Sequence, residues 1–129
     1  MLPSTAITTA VANQVSPTVK LENVNHLTVQ AKLTYGSGGT NVTAWLQTSI
    51  DNAATWIDIA GFQFTTATAT KVYSLTRTAV TTVYTPTDGT ISANTAKDGI
   101  FGSQYRVKYT TTGTYAGSTT LKVDVVTGR

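Results

Sequence analysis

The chain has 129 residues, the length of one ordinary domain, and it is too short for two domains that each bury a useful core. Hydrophobic residues make up 40% of it and charged residues 12%, which excludes a disordered tail and indicates a surface of uncharged polar groups. The net charge is +3, but no basic run exists, so nucleic acid is not an expected partner. The absence of cysteine excludes disulfides and thiol chemistry.

Threonine is the most informative residue type, with 29 positions in the sequence. Its β-branched side chain favours pleated, half-buried strands, and no segment of helical period exceeds two turns, so we expect an all-β protein. The first positive charge is Lys20, and no long apolar run precedes it, so neither a signal peptide nor a membrane span is expected. We predict an extended N-terminal arm over residues 1–15, followed by one domain over residues 16–129.

The clearest strand covers residues 27–35. Its apolar side chains alternate with polar ones, which predicts one buried and one solvated face; they are Leu27, Val29, Ala31, Leu33 and Tyr35. The glycine-rich residues 36–39 then predict a turn into a second strand over residues 41–50. We expect these two strands to form a hairpin.

The middle of the chain predicts further, less regular strands. Residues 55–64 are rich in apolar side chains, and Ala60 and Gly61 shift the alternation by one, which predicts a β-bulge. Shorter strands are predicted over residues 71–75 and 80–84. The Thr/Ala tract at residues 65–70 is expected to be a loop or a mobile edge.

Residues 85–102 show no clean period and form a long connection, since a median connection has roughly 4 to 6 residues. We expect this segment to be functional or to be ordered by a partner. Two final strands, over residues 105–109 and 121–125, are predicted to form a hairpin through the link 110–118. Seven or eight short strands with glycine-rich turns predict a two-sheet antiparallel β-sandwich of jelly-roll type.

The titratable residues do not suggest an enzyme. His26 is the single histidine, and it is interpreted as a polar residue at a strand edge. Asp51 and Asp58 are the one plausible carboxylate pair for glycoside hydrolysis, but Asp51 falls in a predicted turn, where it can cap backbone amides. No dense oxygen-ligand loop is present. We therefore predict no catalytic residue, no metal and no cofactor.

Ser49, Asp51, Thr55 and Trp56 stand at the spacing of the Asp-box, a hairpin motif of sialidase-like propellers and other β proteins. Ala53 replaces the glycine of that motif. In proteins that this segment resembles, the box is structural, because the aspartate ties the turn and the tryptophan packs beneath it. The resemblance implies a hairpin turn at residues 51–54 and no catalytic residue.

Aromatic and apolar residues near the loops are candidates for partner contacts. Tyr84, Phe101 and Tyr115 could lie in an interface or in the core, whereas Tyr105 is expected in the core. Trp45, Trp56 or Tyr115 would form a sugar-binding platform only if they lay together on an exposed face. Trp45 and Trp56 flank one predicted hairpin and are expected to pack inside the sandwich. The partner-contact candidates are Leu2, Pro3, Ile7, Tyr84, Pro86, Ile100, Phe101 and Tyr115.

Taken whole, the order of features resembles small virion proteins of tailed phages and prophages. The resemblance rests on residues 30–39, on residues 47–59 with the box, and on the ending from Tyr105 to Val126. It implies a non-enzymatic capsid cement or decoration protein on the virion surface, made in the host bacterial cytoplasm. Its expected partners are the major capsid protein and further copies of itself, as a dimer or trimer. The alternatives are a tail or head-tail connector component and a carbohydrate-binding module.

Overall fold

The computed structural model describes residues 1–128 and contains strands, turns and loops. Within that range no helix is long and apolar enough to cross a membrane. The strands are β1 (Leu2–Ala6), β2 (Val11–Val15), β3 (Val19–Lys20), β4 (His26–Thr34), β5 (Ser37–Gly38), β6 (Asn41–Ser49), β7 (Ile57–Phe64), β8 (Ala69–Thr76), β9 (Gln104–Thr112), β10 (Tyr115–Ala116) and β11 (Thr120–Gly128).

The strands form two large antiparallel sheets that are not closed into a barrel, and a short two-stranded ribbon of β5 and β10. The first sheet has the order β1-β11-β4-β8, and the second has the order β2-β9-β6-β7, with β3 also paired to β9. When β2 and β3 are counted together and the short ribbon β5-β10 is set aside, the orders become 1-8-3-6 and 2-7-4-5. These are the strand orders of a jelly roll, in which eight strands form two four-stranded sheets that close over one core. The predicted fold class is confirmed.

The core lies between the two sheets and follows from the alternation in the sequence. On β4, Leu27, Val29, Ala31 and Leu33 are fully buried, while the residues between them are exposed. Each buried leucine or valine contributes about 1.5–3 kcal/mol relative to an exposed one. Side chains of β6, β7 and β9 close the core from the second sheet.

Two predicted hairpins are wrong, because the links between their strands cross from one sheet to the other. β4 lies in the first sheet and β6 in the second, and β9 and β11 are divided in the same way. The two links pack backbone against backbone: a Cβ added at Gly36 would lie 2.0 Å from the carbonyl oxygen of Gly117. Their glycines therefore serve this close approach and do not mark hairpin turns.

The predicted N-terminal arm is extended, but it is packed against the rest of the domain. Within residues 1–15, β1 pairs with β11 and β2 pairs with β9, so this stretch supplies an edge strand to each sheet. Leu2 and Ile7 are 5% and 3% exposed, because they fill the end of the core. The domain therefore starts with β1 and includes the whole described chain.

The irregular features of the middle region are partly as predicted. Leu46 pairs with Ala60 and Gln47 with Asp58, so Ile59 is the extra residue of a β-bulge in β7. The predicted strand at residues 71–75 is confirmed within β8. The predicted strand at residues 80–84 is wrong, because the described structure has no strand between β8 and β9.

Candidate interaction surfaces

The long segment between β8 and β9 covers the outer edge of the second sheet. The amide of Asp58 donates to the carbonyl of Thr87 at 2.9 Å, and the amide of Lys97 donates to the carbonyl of Ile59 at 2.8 Å. Ala60 also forms an isolated bridge with Ala96. The long segment thus pairs with the outer edge of β7 along residues 58–61.

Asp58 is the anchor of that segment. Its side chain points away from the core and is fully buried. The carboxylate accepts hydrogen bonds from the amides of Gly89, Thr90 and Ile91 at 2.8 to 3.1 Å, and from Thr87 Oγ1 at 2.9 Å. Successive backbone amides in a turn form an anion-binding nest. A buried carboxylate satisfied in this way fixes the loop to the sheet.

Gln47 joins Asp58 to a second carboxylate, that of Asp88. Its Nε2 donates to both carboxylates at 2.7 Å, and its Oε1 accepts from Arg106 Nε at 2.8 Å. Lys108 and Arg106 form ion pairs with Asp88 at 2.9 and 3.4 Å. Burial opposes ionisation of Asp88, but the hydrogen bonds from Lys108 and Gln47 and the two positive charges outweigh it and lower its pKa. These hydrogen bonds and ion pairs join β6, β7 and β9 to the long segment.

The Asp-box segment forms the turn between β6 and β7, and Asp51 ties that turn. The amide of Thr55 donates to Asp51 Oδ1 at 2.7 Å, and Ser49 Oγ donates to the same oxygen at 3.0 Å. The pKa of Asp51 is lowered, mainly because Thr55 donates hydrogen bonds to its carboxylate. Ala53 adopts a φ of +70°, the left-handed region that glycine occupies without strain. The Arg106 guanidinium lies 4.2 Å from the centre of the Trp56 ring.

The three aromatic rings of the sugar-platform alternative do not share an exposed face. Trp45 and Trp56 are each 8% exposed, yet they lie outside the core between the sheets, on the outer side of the second sheet. Sequence reasoning placed them inside the sandwich, and it missed the cover that the long segment provides. Tyr115 is 2% exposed, and its hydroxyl donates to the carbonyl of Thr65 at 2.6 Å.

The predicted partner-contact residues divide by burial. Leu2, Ile7, Phe101 and Tyr115 lie in the hydrophobic core, so their side chains are not at the surface of the folded chain. These four side chains are buried because apolar residues beside the loops close the ends of the sandwich. Tyr84 and Ile100 are half-buried, and Pro3 and Pro86 are exposed. Partner contact by these last four remains a prediction.

The carboxylates that could have formed a catalytic pair are separately engaged. Asp51 binds its own turn, and Asp58 lies beneath residues 87–91. The described residues contain no group of three or more histidine, cysteine or acidic side chains that could hold a metal ion. The larger surface depressions have volumes of about 300 Å³, one of them lined by residues 20–24 and 127–128.

The solvent side of the first sheet, here named the open face, consists of the exposed side chains of β4, β8 and β11. Its exposed residues include Thr28, Gln30, Lys32, Thr34, Thr70, Val72, Ser74, Lys122 and Val126. Val72 and Val126 are 54% and 71% exposed. Lys122 forms an ion pair of 3.5 Å with Asp124 beside it. Lys32 is a further charged residue of this face. Most of the exposed side chains on the open face are therefore uncharged.

Comparisons with protein-family models, with curated proteins and with solved structures found no match to this chain.

Proposed function

We propose that this chain is a non-enzymatic virion structural protein: a capsid cement or decoration protein that binds the outer surface of a tailed-phage shell. It would contact the major capsid protein and bridge neighbouring capsomers. The resemblance of the sequence to small virion proteins supports this function. The jelly roll is compatible with it, since viral capsid domains use this architecture, although lectin domains use it too.

The open face is the observation that carries the proposal. Threonine, serine and valine lose little side-chain entropy when a partner covers them, in contrast to lysine or glutamate. The face also has few charges to desolvate, because Lys122 and Asp124 form an ion pair and Lys32 is the other lysine on it. A broad sheet surface of this kind suits a permanent contact with another folded protein better than capture of a small molecule.

A second surface extends the possible contact. The tip of the long segment, residues 78–86, exposes Val80 at 39% and Val83 at 94%. An exposed apolar side chain on a loop gains buried area when it meets a neighbouring subunit. With residues 1–15 folded into the sheets, this tip and the open face replace the arm as the expected points of attachment. Many modest contacts, repeated by the symmetry of a shell, would then give a large total stabilisation.

Rebinding to particles depleted of the chain tests this proposal. Purified protein should cosediment with depleted shells from the phage or prophage that encodes it, and it should raise their resistance to heating. Gln30→Arg places a charge at the centre of the open face and should reduce occupancy at least about tenfold. Thr18→Arg adds the same side chain at an exposed position between β2 and β3, and it should bind like the unmodified chain.

Three other results would change or contradict this proposal. Equal binding of both variants would remove the open face from the contact. Binding confined to tails or to the head-tail junction would establish the connector alternative. No binding to any part of the particle would contradict the proposal.

A further inference from the structure

The edge strands of the two sheets differ in how they are protected against pairing with another chain. An exposed edge presents unpaired amides and carbonyls, and proteins block it with prolines, bulges or covering segments. β1 contains Pro3 and a register shift between Leu2 and Thr5. β2 has a register shift between Val11 and Gln14, and β7 is covered by the long segment. Three edges are thus blocked.

The edge of β8 has none of these devices. It pairs with β4 in continuous register from Ala69 to Thr76, and it contains neither proline nor bulge. Its one charged side chain is Lys71. The ammonium of Lys71 donates hydrogen bonds to the carbonyl of Gln63 on β7 and to Asn94 Oδ1, so it does not lie along the free edge. The side chains on its solvent face are Thr70, Val72, Ser74 and Thr76.

The hydrogen bonds at one end of β8 show which peptide groups are free. The amide of Thr76 donates to Asp98 at 3.1 Å, and its carbonyl accepts from the amide of Gly99, so this residue faces away from β4. Because strand residues repeat with a period of two, the peptide groups of Thr70, Val72 and Ser74 face the same way. Asp98 and Gly99 occupy the end of the edge, which leaves a free stretch centred on Val72.

We infer that two copies of this chain pair through their β8 edges, antiparallel about a two-fold axis at Val72. Each Val72 then faces its partner's Val72, and Thr70 faces the partner's Ser74, which allows about six backbone hydrogen bonds. The pairing is self-complementary and sets no two like charges opposite each other, because Lys71 faces the partner's Tyr73. The pairing also covers the half-exposed Val72. It joins the first sheet of one copy to the first sheet of the other copy in one continuous sheet. This inference does not rest on the proposed function.

Sedimentation equilibrium of the full chain, from about 1 µM to about 1 mM, measures the association. A contact through one strand edge is small, so we expect a reversible dimer. Val72→Lys should raise the dimer Kd at least about tenfold, since it sets two positive charges opposite each other. Val126→Lys is the matched control, because it makes the same change at an exposed valine of the same face on β11. Val72→Asp, which sets two negative charges opposite each other, serves in place of Val72→Lys if circular dichroism shows that variant to be unfolded.

Amide hydrogen exchange locates the contact. In dilute solution the amides of Thr70, Val72 and Ser74 should exchange rapidly, and in concentrated solution they should become protected. The amides of Lys71 and Tyr73 face β4 and should be protected at both concentrations. A chain that stays monomeric over the whole range overturns the inference. A dimer that is indifferent to both β8 variants, or one that leaves these three amides unprotected, overturns it as well.

Discussion

Replacing Asp58 by asparagine should undo the attachment of the long segment to the second sheet. Asparagine has the same shape, but one carboxylate oxygen becomes an amino group that can only donate. At the Oδ2 position that group would face Thr87 Oγ1 and the amides of Gly89, Thr90 and Ile91. At the Oδ1 position it would face Gln47 Nε2 and the amide of Gly89. Either orientation turns favourable contacts into donor–donor conflicts.

The cheaper orientation places the amino group at the Oδ1 position and loses two hydrogen bonds. Hydrogen bonds to a charged group contribute about 1.5–3 kcal/mol each, so the gross loss is about 3–6 kcal/mol. Removing a buried charge returns part of this, because its desolvation no longer opposes folding. We expect Asp58→Asn to lower the free energy of unfolding by about 2–4 kcal/mol.

Urea unfolding followed by tryptophan fluorescence measures this change, and the midpoint should fall while the slope stays constant. Asp88→Asn is the control: its carboxylate belongs to the same network but is half exposed, so it should cost less than Asp58→Asn. In Asp58→Asn, the amides of Thr90 and Ile91 should also exchange faster. A loss below about 1 kcal/mol for Asp58→Asn would refute the view that this carboxylate anchors the segment.

Three further predictions follow from the turns and ion pairs. Because the pKa of Asp88 is lowered on folding, its contribution to stability is present above its ordinary value of 3.8 and is lost as the pH falls through the lowered pKa. Thermal melts from pH 6 to pH 2 should therefore fall less steeply in Asp88→Asn, and parallel curves would contradict this. Ala53→Gly should stabilise by about 0.5–1 kcal/mol, since relief of the left-handed strain exceeds the added chain entropy; a lower melting temperature would count against it. Gly102→Ala should destabilise by more than about 2 kcal/mol in urea unfolding, because its Cβ would lie 2.1 Å from the carbonyl oxygen of Ser49. Unchanged stability would show that the backbone around Gly102 shifts to make room for the added methyl group.

The six long strands β4, β6, β7, β8, β9 and β11 could be predicted from the sequence, but their partners could not. Leu27 to Leu33 alternate so regularly that β4 and its buried face follow from the side-chain period alone. The alternation of apolar and polar side chains shows which face of a strand is buried. It does not show which other strand pairs with it. The glycines of the two links have the composition of hairpin turns, although Gly36 and Gly117 allow two crossing links to touch.

The Asp58 network could be predicted only in part. A carboxylate between Ile57 and Ile59 on a buried strand signals a group that needs buried donors. Those donors are the amides of residues 89–91, about thirty positions later, and no local pattern links the two segments. The burial of Trp45 outside the core depends on the same long-range cover, so it was not predictable from its own strand.

The number of copies per virion tests the proposed function most directly. Quantitative mass spectrometry of purified particles gives this number as a ratio to the major shell protein. A capsid cement protein should be present at on the order of hundreds of copies, in a fixed ratio set by the symmetry of the shell. A handful of copies, or none, would contradict the assignment to the capsid surface.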